Sequence, residues 1–135
     1  MPFFGQLDKS LIILQGMPMT NTVPLKKNYE FSRVYKNGRF SASKHLVVYV
    51  LDNKLQTNRL GITVSKKLGK AVTRNRIRRL IRENYRLMEG MVKRGYDLVI
   101  VSRKVDVIPS FYDIKKEMNY LLRKLDMINT EVGNQ

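Results

Sequence analysis

The sequence predicts an α+β fold: a small mixed central sheet with about three helices packed on it, in the order αββ(β)αβα. Two runs rich in β-branched and aromatic residues, "HLVVYVLD" and "RLGITVS", follow one another and read as strands. A third apolar run, "YDLVIVS", is separated from them by a long stretch whose isoleucines and leucine recur at helical spacing. Periodic segments before and after these runs supply the remaining helices, and such alternation gives helices layered on a sheet. The 135 residues contain no internal repeat or low-complexity tract, so one domain over residues 21–128 is expected, with residues 129–135 as a disordered tail.

After Pro24, "LKKNYEFSRVYKNG" places Phe31, Val34 and Tyr35 on one helical face, and Gly38 is expected to stop that helix in the left-handed conformation. A short extra strand is expected near Arg39 to Lys44. The polar "DNKLQTN" between the first two strand runs suits a hairpin, which would make those strands antiparallel neighbours. A glycine-containing basic loop, "KKLGKA", leads into a helix from about Thr73 to Met88 that ends near Gly90, and Gly95 precedes the third strand run. The last helix opens with Pro109 and a capping box, Ser110 with Asp113, then shows Ile114, Met118, Leu121, Leu122 and Leu125 at helical spacing.

Residues 1–20 are expected to form a flexible extension, with Met17 and Met19 as alternative initiators. Only Leu11 to Leu14 run uninterrupted there, far short of the roughly 20 residues of a membrane span. Asp8 and Lys9 before so short a run do not suit a secretory signal. The absence of cysteine excludes disulfides and thiolate metal sites and fits a cytoplasmic location.

Charge carries the functional signal. The chain has 26 Lys+Arg against 11 Asp+Glu, a formal net charge of +15. Such self-repulsion is best tolerated beside a polyanion, and nucleic acid is the leading partner. Lys66, Lys67, Lys70, Arg74, Arg76, Arg78, Arg79, Arg82 and Arg86 face only Glu83 in the same segment, a net of +8 within 21 residues. At about 100° per residue, Ile77, Leu80, Ile81, Tyr85 and Met88 share one arc while the arginines lie mostly on the other side. A merely solvated helix would alternate signs to gain i,i+4 pairs, whereas like charges at 74, 78, 82 and 86 cost stability until a polyanion neutralises them. Arginine also binds phosphate bidentately and stacks on bases.

The stretch "SKKLGKAVTRNRIRRLIRENYR", Ser65 to Arg86, closely resembles the signature of the bacterial ribonuclease P protein subunit, an Arg-Asn-Arg triplet followed by basic residues on a helix. "LKKNYEFSRVYKNG", "RLGITVSKK" and "YDLVIVSRK" resemble that family too, in its order, over roughly residues 25–126. The resemblance implies an α/β sandwich with an unusual left-handed βαβ crossover, against the usual right-handed preference. It implies that Lys66, Lys67, Lys70, Arg74, Asn75, Arg76, Arg78, Arg79 and Arg82 bind the catalytic RNA subunit. It also implies that Phe31, Tyr35 and Tyr49 line a cleft for the single-stranded leader of precursor tRNA. Spacing by itself favours a core role for Phe31 and Tyr35; the resemblance reverses that, and unpaired bases do stack on aromatic rings with little demand on sequence.

The chain offers no convincing catalytic set of its own. His45 is the only histidine and lacks a second for an acid/base pair, and the eleven acids are scattered, with Asp97, Asp106 and Asp113 not at metal-ligand spacing. "LGK" lacks the spacing of a nucleotide-binding loop. The resemblance accordingly implies that the RNA subunit positions Mg²⁺ and cuts, that precursor tRNA is the substrate, and that the polypeptide alone is inactive. No membrane and no obligate protein partner are expected. The alternative is a ribosomal or other structural RNA-binding protein, which has no need of a leader platform.

Overall fold

The structure is a computed structural model that describes residues 19–103 and 107–129. Its elements are β1 (Thr22–Pro24), α1 (Asn28–Asn37), β2 (Arg39–Ala42), β3 (Leu46–Asp52), β4 (Asn58–Val64), α2 (Ala71–Met88), β5 (Tyr96–Ser102) and α3 (Phe111–Lys124), with 3₁₀ turns at Lys66–Leu68 and Glu89–Met91. Five strands form one mixed sheet in the order β1-β4-β5-β3-β2. The expected α+β class with three helices is what the chain forms. Residues 1–18 and 130–135 of the expected extension and tail, and Asp106, lie outside the described residues.

β5 lies at the centre and is the most buried strand: consecutive residues Leu98, Val99 and Ile100, which point to alternate faces, are wholly buried. It pairs antiparallel with β3, Leu46 opposite Ser102 through Asp52 opposite Tyr96, and parallel with β4. The expectation that β3 and β4 are adjacent is therefore corrected. They run in opposite directions, but β5 is inserted between them, because a strand buried on both faces must lie inside a sheet and cannot sit at its edge. β4, α2 and β5 form a parallel crossover.

The sheet is covered on both sides. Ile77, Ile81 and Tyr85 of α2 and Ile114, Met118, Leu121 and Leu122 of α3 pack with Leu46, Val48, Leu98 and Ile100 into the main core. On the opposite face, Leu25, Val34 of α1 and Val99 form a second cluster, with Phe31, Tyr49, Leu51 and Val101 packed around it. The α3 capping box is present as expected: Ser110 N donates to Asp113 Oδ2 (3.0 Å) and Asp113 N to Ser110 Oγ (3.1 Å).

Two local features differ from expectation. Gly38 ends α1 with φ −81° and ψ 161°, an extended and not a left-handed conformation. Its glycine is required by space instead, since a Cβ there would lie 2.6 Å from the Val34 carbonyl oxygen and 2.7 Å from that of Val50. The short β1 was not foreseen. It is held by tertiary partners: Glu89 accepts from Thr20 N and Asn21 N (both 3.0 Å), and Thr22 Oγ1 lies 3.1 Å from Tyr85 Oη.

Candidate nucleic-acid interface

α2 is built with one inward and one outward face. Ile77, Ile81, Tyr85 and Met88 are buried, and Leu80 is partly so. Lys70, Asn75, Arg76, Arg79 and Arg82 are exposed, and Arg74 and Arg78 are half-exposed. The first turn of the helix contains no acid, so its positive dipole end adds to Lys66, Lys67 and Lys70 just before it. Ser65 Oγ accepts from Lys67 N at 3.1 Å, which fixes the turn bearing both lysines. Arg74 Nε donates to Gly69 O (3.3 Å), and Arg78 Nη1 donates to Asn75 Oδ1 (3.2 Å).

Arg86 departs from the expected cationic arc. Its Nη1 lies 3.3 Å from Glu83 Oε1, and both side chains are less than a tenth exposed. The helix therefore presents its other arginines outward and keeps this one in an internal ion pair.

A groove of about 760 Å³ runs between α2 and the edge of the sheet. Asn75, Arg78, Arg79 and Arg82 form one wall; Pro24, Leu25 and Phe31 face them, over Leu60, Gly61 and Ile62. Lys66, Lys67, Lys70, Arg74 and Arg76 do not line it. Phe31 lies on Gly61 so closely that a Cβ at that glycine would be 2.4 Å from Phe31 Cε1. The aromatic surface continues across the sheet from Phe31. Tyr35 is 40% exposed and its hydroxyl lies 3.2 Å from Thr63 Oγ1, while its ring meets Tyr49 edge-on at 4.9 Å between centroids. The structure thus places Phe31, Tyr35 and Tyr49 on one face of the sheet, with Phe31 alone reaching the basic groove.

Sequence reasoning missed Phe40, which is 64% exposed and lies 5.4 Å from Tyr49. The signal was available: in the antiparallel β2–β3 register Phe40 is directly opposite Tyr49, so both side chains share a face.

A buried ionic cluster fixes α1 beneath this surface. Asp97, wholly buried, receives Arg59 bidentately, Nε to Oδ1 and Nη2 to Oδ2 (both 2.7 Å), with Asn53 Nδ2 at 3.0 Å and Arg33 Nη2 at 3.3 Å. Arg59 Nη1 also donates to Glu30 Oε2 at 2.6 Å. Burial pushes the Asp97 carboxyl upward, but the bonds from Arg59, Asn53 and Arg33 outweigh it and hold it below the ordinary value. The amides of Lys27 and Lys26 lower Glu30 in the same direction. His45 Nδ1 pairs with Glu117, which also accepts from Ser43 Oγ and, at 2.8 Å, from His45 N. Among the described residues no group of three or more His, Asp or Glu is placed to hold a metal ion, and no helix is long and apolar enough to cross a membrane.

Fold and groove together define a class: an α+β sandwich whose cationic helix borders a groove that Phe31 enters from an aromatic strip on the other face of the sheet. The model of the ribonuclease P family matches residues 19–126, and the chain belongs to that family. It is 46% identical over 112 residues to the ribonuclease P protein component of Clostridioides difficile, covering 82% of this chain and 98% of that one. Among solved structures, the RNase P protein of Staphylococcus aureus superimposes with a TM-score of 0.72 at 36% identity, over 78% of this chain and 97% of that one. The RNase P protein from Thermotoga maritima gives 0.66 at 31% identity, over 74% and 96%.

Proposed function

We propose that this chain is the protein subunit of a bacterial ribonuclease P: it docks the catalytic RNA subunit and holds the 5′ leader of precursor tRNA, assisting removal of that leader. The observation that carries this reading is the groove, which joins Arg78, Arg79 and Arg82 to Phe31 in one channel. A groove with phosphate-binding forks on one wall and a ring on the other suits a single strand, whose backbone is anionic and whose bases offer stacking faces. Lys66, Lys67, Lys70, Arg74 and Arg76, outside the groove, are left to contact the folded RNA subunit.

Leader and RNA subunit are held on adjoining surfaces, so a substrate with a leader gains contacts that the mature product lacks. That difference in affinity favours binding precursor and releasing product.

Among the described residues the buried carboxylates do not fit a magnesium site. Asp97 is occupied by guanidinium groups, Glu89 by the amides of Thr20 and Asn21, and Glu117 by Ser43 and His45. We therefore assign Mg²⁺ and the hydrolytic chemistry to the RNA subunit and substrate, with the polypeptide lowering phosphate repulsion around them in the cytoplasm.

The deciding experiment reconstitutes the protein with a catalytic RNA subunit at low Mg²⁺. Stimulated cleavage of precursor tRNA is expected, and Phe31→Ala should weaken leader-bearing tRNA more than leaderless tRNA. Equal losses on both substrates would remove the leader assignment and leave a structural RNA-binding role.

A further inference from the structure

The outer face of α3 has a composition that its packing does not require. Tyr112 and Tyr120 are 69% and 55% exposed. A lysine lies over each ring, Lys115 Nζ 5.8 Å from the Tyr112 centroid and Lys124 Nζ 5.7 Å from that of Tyr120. Arg123 is held by Asn119, Nε to Oδ1 at 2.8 Å. At 100° per residue Tyr112, Lys116, Asn119 and Arg123 fall within about 60° of one another, directly opposite the buried Ile114, Met118 and Leu121.

A solvated helix face of this kind would normally interleave acids. The two acids of α3 are engaged elsewhere: Asp113 caps the helix through Ser110, and Glu117 is turned to Ser43 and His45. Among the described residues none of Lys115, Lys116, Arg123 and Lys124 forms an ion pair. Asp113 interacts electrostatically with Lys116, but none of the four cations is ion-paired and two lie over exposed rings, a surface to which an anion with flat apolar faces is complementary.

We propose that this face of α3 is a second RNA-docking surface, which takes an unpaired segment of the same RNA subunit that α2 docks. The inference rests on the reading of α2 given above and extends it. α2 and α3 lie side by side on one face of the sheet and share the main core, so their outer surfaces adjoin. The aromatic strip of Phe31, Tyr35 and Tyr49 lies on the other face, under α1. The α3 surface is therefore reached by the RNA subunit and not by the leader. Tyr112 and Tyr120, eight residues apart, stand about 12 Å apart along the axis, each a separate stacking position.

The test measures affinity for a transcribed ribonuclease P RNA subunit as a function of salt, using the full chain. Lys115→Gln/Lys116→Gln/Lys124→Gln should flatten the log–log salt slope by about 2, and Tyr112→Leu/Tyr120→Leu should weaken binding roughly tenfold at constant slope. All five positions are on the surface, and unchanged thermal unfolding verifies the fold. If both α3 variants bind like the parent while Arg76→Ala does not, the proposal is overturned. If the lysine variant weakens binding but the tyrosine variant does not, the unpaired-base contact is overturned. If Arg76→Ala also binds like the parent, the docking role of α2 fails, and this proposal with it. Protection of α3 amides by polyglutamate as strong as that by RNA would assign the face to an acidic protein instead.

Discussion

Arg59 and Asp97 form a two-pronged ion pair at 2.7 Å for each bond, and it is the point from which α1 is oriented. Asp97 is on the central strand, Arg59 on its parallel neighbour, and Arg59 continues to Glu30 of α1. Glu30 and Arg33, the two α1 residues in this cluster, bracket Phe31 in sequence. Arg59→Ala is expected to cost about 3 kcal/mol in urea unfolding, because Asp97 would stay buried with weaker partners. In the surviving folded fraction, preference for leader-bearing over leaderless tRNA should fall while affinity for the RNA subunit holds. Loss of both together would show that the pair supports the fold alone.

This cluster and two further bonded carboxylates, Glu89 and Glu117, give the protein an acid limit. Asp97, Glu30, Glu89 and Glu117 are all held below their ordinary values of 3.8 for Asp and 4.5 for Glu. A carboxyl whose folded value is depressed contributes stability that is complete above its unfolded value and is lost as pH falls through the folded one. Unfolding free energy should therefore be level from neutral pH down to about 5 and fall below that. Asp97→Asn should lower the plateau and shallow the acid slope; an unchanged slope would remove Asp97 from the account.

Gly61 is the floor on which Phe31 rests. Gly61→Ala would put a methyl group where the ring now lies, so the ring must move. A destabilisation of about 1 to 3 kcal/mol is expected from overpacking, together with weakened leader binding. If binding of leader-bearing tRNA is unaltered, Phe31 does not need this position.

Arginines of α2 should separate by exposure. Arg79→Ala is expected to reduce the salt slope for RNA by about 0.7 to 0.9 with little change in stability. Arg86→Ala, which breaks the pair with Glu83, should do the reverse. Equal slope changes in the two variants would mean that Arg86 leaves its partner to meet RNA.

The helices were legible because each carries a one-dimensional signal: the apolar arc of Ile77, Ile81 and Tyr85, the Ser110–Asp113 cap, the spacing of Ile114 to Leu125. The outward arginines followed from the same arc, apart from Arg86, whose pairing with Glu83 three residues away was written in the sequence and was overlooked. Strand adjacency was not legible. "DNKLQTN" suits a hairpin locally, and only the burial of β5 on both faces makes it the neighbour of β3 and β4. β1 was hidden for a related reason: three residues carry no period, and its anchors, Glu89 and Tyr85, are more than 60 residues away. The aromatic strip was half legible, since spacing supplied Phe31 and Tyr35 but the pairing of Phe40 with Tyr49 needed the β2–β3 register.

The strand at the middle of the sheet is also the last to be synthesised. β3 and β4 emerge from the ribosome with their shared partner still untranslated, and at bacterial speeds about 3 to 11 seconds separate Leu46 from Ser102. Within that interval α2 is made before the sheet that supports it is finished. The main core, which unites β3, β4, β5 and both later helices, therefore cannot close until the chain is almost fully synthesised.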